Sequence, residues 1–159
     1  MKSRFIRVSA RNTVTIRRIM MRQSMVGRIV SGGKILPLPQ REIRISAGEI
    51  FCFERRSEWQ IIQQAAAGKA YTAELLLLAQ SDINAFAAQS PAPQTFAFHT
   101  RPDAALAALW QQLAQAPEPA RADVMHLLAL LDAQGWRFSQ GETLTTAEKL
   151  ERLLAAQLH

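Results

Sequence analysis

The chain has 159 residues, 48% of them hydrophobic and 20% charged. That size and balance fit one globular domain with a helical appendage and exclude a disordered chain. The charge is lopsided: ten of the nineteen Lys and Arg lie in residues 1–41, which hold no Asp or Glu, leaving nine bases against thirteen acids in the remainder.

A field of this kind attracts anions, whether phosphates, an acidic partner or a carboxylate ligand. Solvated arginines that protect exposed strands are the plainer explanation. The lone Cys52 sits in an apolar run and excludes an internal disulfide or a cysteine-rich zinc site. It reads as a small buried hydrophobe. No run reaches about 18 apolar residues, so no helical membrane span is expected. The N-terminus is Arg-rich but lacks the apolar core of a secretory signal, and its apolar residues alternate instead of forming a helical stripe. A cytoplasmic location is the expectation.

Asn12 to Ile19 alternates and is dense in β-branched residues, which predicts a strand, and Ser24 to Val30 predicts another. Ser31-Gly32-Gly33 reads as a tight turn, because glycine supplies positive φ. Lys34 to Leu38 is a short strand whose Pro37 suits an edge or a strand end. Glu42 to Ser46 places Ile43 and Ile45 on one face. Ala47-Gly48 turns the chain. Ile50 to Glu54 sets Phe51 and Phe53 opposite Ile50 and Cys52, and Trp59 to Gln63 continues the pattern. Tyr71 to Leu78 is apolar enough on both faces to be central. Short strands with turns every eight to twelve residues predict an all-β sandwich or barrel.

A short helix is predicted from Ser81 to about Ala88, a linker over Gln89 to Gln94, and a last strand over Thr95 to His99. Helical spacing then takes over. Leu106, Leu109, Trp110 and Leu113 define a helix over Pro102 to Gln115, with Pro102 in its first turn. A second helix runs from Pro119 to Gln134 and is closed by Gly135. A third starts at the capping box Thr145-Thr-Ala-Glu148 and runs over Thr146 to Leu158.

Catalytic chemistry finds little support. The three histidines, His99, His126 and His159, have no partner at metal-ligand spacing, and no histidine precedes His99 in the strand region. No nucleophile elbow, P-loop or dinucleotide fingerprint occurs. No enzyme activity, metal or cofactor is expected. Glu74 is the odd carboxylate in an apolar strand: it is either a buried group with a shifted pKa, or it points outward or pairs with an arginine. Nucleic-acid binding through residues 1–41 lacks stacking aromatics, since Phe5 stands alone there.

Two surfaces remain. A barrel of this size can enclose one small ligand, and an anionic ligand needs an inward cation; Arg22, Arg28 and Lys34 are the candidates. On the second helix, at about 100° per residue, Val124, Leu127, Leu128 and Leu131 share one arc. Leu130 and Met125 widen it to about 220°, beyond the roughly 100° stripe of a helix resting on one core. The excess is met either by the first helix or by a second subunit. Met125, Leu127, Leu130 and Leu131 are the candidate dimerisation residues.

The segment Leu36 to Leu78, built around Ala47-Gly48-Glu49-Ile50, resembles the N-terminal barrel of AraC-type transcriptional regulators. His126-Leu-Leu-Ala-Leu-Leu-Asp-Ala-Gln-Gly-Trp-Arg-Phe, followed by Thr145-Thr-Ala-Glu-Lys-Leu-Glu-Arg-Leu-Leu, resembles the segment before the first helix-turn-helix in the virulence, secretion and acid-resistance branch. The resemblance implies an α+β fold. A double-stranded β-helix (cupin-like) barrel sensor would occupy residues 1–100, and a helical dimerisation and linker segment residues 101–159. It implies a homodimer that contacts DNA only through a domain expected after His159, so that the 159 residues are either an excised fragment or a headless member. The effector would be a small apolar or anionic molecule, or else a regulatory protein such as an anti-activator or chaperone. Fatty-acid-responsive members hold the ligand carboxylate with an early barrel lysine; that position falls near Met25, which leaves Arg22 or Arg28 to substitute.

Overall fold

The computed structural model describes residues 1–87 and 97–141. Within them the elements run β1 (Arg4–Ala10), β2 (Val14–Met20), β3 (Met25–Ser31), β4 (Gly33–Pro37), β5 (Glu42–Ser46), β6 (Ile50–Phe53), β7 (Glu58–Gln64), β8 (Tyr71–Leu77), α1 (Gln80–Ala87), β9 (Ala97–Thr100), α2 (Ala104–Leu113) and α3 (Arg121–Ala133). The strands pair antiparallel in two sheets, A in the order β1-β8-β3-β6-β9 and B in the order β2-β7-β4-β5. Among the described strands only β4 and β5 are both consecutive and hydrogen-bonded; the others pair with more distant partners.

This alternation overturns the expected hairpin at Ser31-Gly32-Gly33. β3 lies in sheet A and β4 in sheet B, so Gly32, at φ +80°, carries the chain between sheets. A Cβ there would come within 2.3 Å of the Gln64 carbonyl oxygen. Of the two places that suit Pro37 it takes the strand end: β4 lies between β7 and β5, with Pro37 its last residue. Its pairing with β7 ends at Ile35, so Pro37 lies beyond the point where an N–H is needed on that side.

Period-two patterning makes two cores, one on each face of sheet A. Phe51 and Phe53 point into the space between the sheets with Ile29, Leu36, Ile45 and Tyr71. Ile50 and Cys52 point the other way, with Val26 and Leu76, onto the helices. Cys52 is fully buried, as the sequence implied, and burial pushes its thiol pKa well up. The strand missing from the sequence reading is β1. It forms one edge of sheet A, as β2 does of sheet B, and Arg4, Arg7, Arg17 and Arg18 on these edges are all exposed.

Leu106, Leu109, Trp110 and Leu113 of α2 are buried as their spacing predicts. The N-cap is Asp103, whose Oδ1 accepts from the Leu106 N–H at 2.8 Å. Pro102 therefore precedes the cap instead of opening the first turn. α3 ends at Gly135, φ +92°, with Trp136 N–H donating to Leu131 O and Gly135 N–H to Asp132 O, a Schellman closure. The expected linker at Gln89–Gln94 and third helix at Thr146–Leu158 lie outside the described residues. No helix among those described is long and apolar enough to cross a membrane.

Candidate ligand-binding site

Of the three cations proposed to face inward, one does. Along β4 the alternation that turns Leu36 into the inner core also turns Lys34 inward. Lys34 stands in register between Ile45 of β5 and Gln63 of β7. It is 5% exposed. Its Nζ lies 5.0 Å from the Phe51 ring centroid, 5.8 Å from Phe53 and 5.6 Å from Tyr71. Those rings offer cation–π stabilisation, but no hydrogen bond or ion pair reaches the ammonium among the described residues. Burial lowers its pKa to about 8, so most molecules remain cationic at neutral pH.

Tyr71 completes the site and was not singled out from the sequence. It opens β8, is 1% exposed, and its hydroxyl has no hydrogen-bond partner among the described residues. Burial pushes its pKa up, so the phenol stays protonated and able to donate. The signal was available: Tyr71, Ala73 and Leu75 form the inward register of β8. The sequence did not reveal that Tyr71 and Lys34, on different sheets, converge. A hollow of about 300 Å³ opens beside β4, bordered by Lys34 and Ile45 together with Ile35, Arg44, Gln64 and Ala66; Tyr71, Phe51 and Phe53 do not line it. The Lys34 ammonium and the Tyr71 hydroxyl, both without a hydrogen-bond partner among the described residues, are donors that an acceptor group could satisfy beside the aromatic rings.

Arg22 and Arg28 lie elsewhere. Arg22 is exposed on the bend between β2 and β3. Arg28 shares the outward register of β3 with Val26, so it faces the helices and not the space between the sheets. Met25, the position expected for a ligand-holding lysine, packs half-buried against the inner core. Glu74 has an arginine partner, Arg7, whose Nη2 donates to Oε2 at 2.8 Å. It is also buried, and Trp110 Nε1 donates to its Oε1 at 3.2 Å.

The four candidate dimerisation residues divide. Leu127 and Leu131 are 0% exposed inside the subunit, facing sheet A and the other helices, which leaves them no surface to offer a partner. Met125 and Leu130 pack against the same core but stay half-buried. No group of three or more His, Cys, Asp or Glu with metal-binding geometry occurs among the described residues. His99 Nδ1 lies 2.8 Å from Glu49 Oε2, and Glu49 Oε1 accepts from the Ser46 N–H at 2.9 Å.

No protein-family model matches the sequence, and no curated protein matches it. The fold is similar to solved structures of ToxT from Vibrio cholerae, an AraC-family virulence regulator. A ligand-free ToxT variant aligns with a TM-score of 0.72 at 8% identity, over 98% of this chain and 65% of that one. ToxT bound to an unsaturated fatty acid gives 0.66 at 8% identity, over 97% and 62%. ToxT bound to a methylnaphthalenyl butenoic acid gives 0.67 at 8% identity, over 98% and 66%. At such identities the likeness establishes the fold, a β-rich domain of two sheets with packed helices. The chain spans between 62% and 66% of the length of these structures.

Proposed function

We propose that these residues form the effector-sensing domain of an AraC-type transcriptional regulator, with a carboxylate-bearing apolar molecule as the effector. One observation carries the reading: Lys34 is a buried ammonium with no counter-ion among the described residues, 5.6 Å from the ring centroid of Tyr71, whose hydroxyl likewise has no hydrogen-bond partner among them. A carboxylate satisfies both donors, and the charge-assisted bond to Lys34 is the stronger of the two. Phe51 and Phe53 supply apolar walls. The strand orders 1-8-3-6 and 2-7-4-5 support reading the sandwich as a cupin-like double-stranded β-helix. The ToxT structures that carry a fatty acid and a butenoic acid support the same ligand class.

In this reading the ligand acts by population shift: it favours one arrangement of sheets and helices over another, and that arrangement sets how two DNA-binding domains outside residues 1–159 are presented. Dimerisation would run through the Met125 and Leu130 face of α3.

Calorimetric titration with oleate and with 4-phenylbutyrate tests the proposal. Saturable binding of either is expected, weakened at least tenfold in Lys34→Met and several-fold in Tyr71→Phe. Equal binding by the parent and Lys34→Met, or no binding of either acid, would overturn it. The inner space is largely packed with side chains, which favours a second reading: an interaction module controlled by an anti-activator or chaperone, with no small ligand. Native mass spectrometry separates the two, since a co-purifying acid supports the sensor.

A further inference from the structure

On the outer face of sheet A, Arg7, Glu74 and Arg28 stand side by side, in register across β1, β8 and β3. α2 lies beside this row, its Trp110 indole donating to Glu74. The Glu74 carboxylate serves Arg7 with one oxygen and Trp110 with the other. Arg28 sits on the far side of Glu74, half-buried, and makes no hydrogen bond or ion pair among the described residues. A groove of about 510 Å³ opens here, bordered by Arg7, Arg28, Glu74, Trp110, Gln111 and Gln115. Two guanidinium groups face one carboxylate, so the groove has a surplus positive charge.

A guanidinium presents a rigid planar fork of donors, and its complement is a two-oxygen face of a carboxylate or phosphate. Gln111, across the groove on α2, carries a side-chain amide with no partner among the described residues and can supply a further donor.

We propose that this groove is a second binding site, for a small carboxylate- or phosphate-bearing molecule held by Arg28 on the sheet and Gln111 on the helix. It is distinct from the Lys34 site, because sheet A lies between the two: Lys34 faces the inner core and Arg28 the helical face. An anion bridging β3 and α2 ties the helical layer to the sheet, which gives the ligand a direct hold on helix position. The inference does not depend on what the inner site binds.

The test uses citrate and inorganic phosphate as probes at matched ionic strength, with calorimetry and thermal melts on the 159-residue chain. At least one probe should bind saturably and raise the melting temperature. Arg28→Gln should weaken that binding at least tenfold, Arg28→Lys should weaken it less because charge remains without the fork, and Lys34→Met should leave it unchanged. Binding of citrate alone assigns a carboxylate ligand, and of phosphate alone a phosphate ligand. The proposal fails if neither probe binds saturably, or if Arg28→Gln binds like the parent. Should Arg28→Gln not fold, Gln111→Leu on the exposed face of α2 decides in its place: a several-fold loss supports the site and unchanged affinity overturns it.

Discussion

Lys34 illustrates a residue held at a cost. Its folded pKa of about 8 lies below the ordinary lysine value of 10.5 because burial disfavours the charged form. The unfolded chain therefore binds the proton more tightly, and stability rises as pH climbs from about 8 to 10.5. Below that window the full penalty applies, on the order of 3 kcal/mol before the aromatic rings offset part of it. Lys34→Met should therefore raise stability at pH 7 by about 1–3 kcal/mol and flatten the rise above pH 8, as read by urea melts at several pH values. A parent chain whose stability does not change between pH 7 and 10 would contradict the burial of a free ammonium. The sequence offered Lys34, Arg22 and Arg28 as equals. It could not separate them because β3 is apolar on both faces, with Val26 outward and Ile29 inward, so composition does not say which face Arg28 shares.

Between elements, two contacts make measurable claims. Gly27 of β3 lies against the Phe51 ring of β6, where an added Cβ would sit 2.2 Å from the ring Cζ. Gly27→Ala should cost about 1–3 kcal/mol in urea melts, and Phe51→Leu in the same chain should restore part of it by vacating the space. Glu54, buried at the end of β6, accepts from the Ser139 N–H at 3.0 Å and the Ser139 hydroxyl at 3.3 Å, fastening the segment after α3 to the sheets. Burial raises its pKa above the ordinary 4.5, so the fold prefers the protonated acid. That preference adds stability at low pH and is lost as pH rises through the folded value. Glu54→Gln, which keeps one oxygen for Ser139, should melt higher than the parent at pH 7, with the advantage gone below about pH 4.5. Most strands were legible from period-two alternation. The connections were not, because Gly32 supplies the same positive φ to a hairpin and to a crossing between sheets. β1 was missed because Arg4, Arg7 and Ser9 interrupt its apolar pattern.

Across the whole molecule, the basic N-terminal quarter and the wide apolar arc of α3 have different outcomes. The arginines of β1 and β2 lie on the open edges of the two sheets, where charge opposes strand addition from another chain. The arc of α3 is largely consumed within the subunit by sheet A, α1 and α2, since Leu127 and Leu131 have no exposed surface. Only Met125 and Leu130 retain area, so a dimer through α3 has to use them. Placing a charge on each kind of position separates the two roles. Leu130→Glu keeps its carboxylate in reach of water, so it should leave the circular dichroism spectrum intact and convert a sedimenting dimer into monomer. Leu127→Glu buries an unpaired carboxylate in a dry core and should unfold the chain or cost it more than about 4 kcal/mol. A parent that sediments as a monomer, or a Leu130→Glu chain that stays dimeric, would remove α3 as the interface. The half-exposed side chains would then only cover the core beneath them.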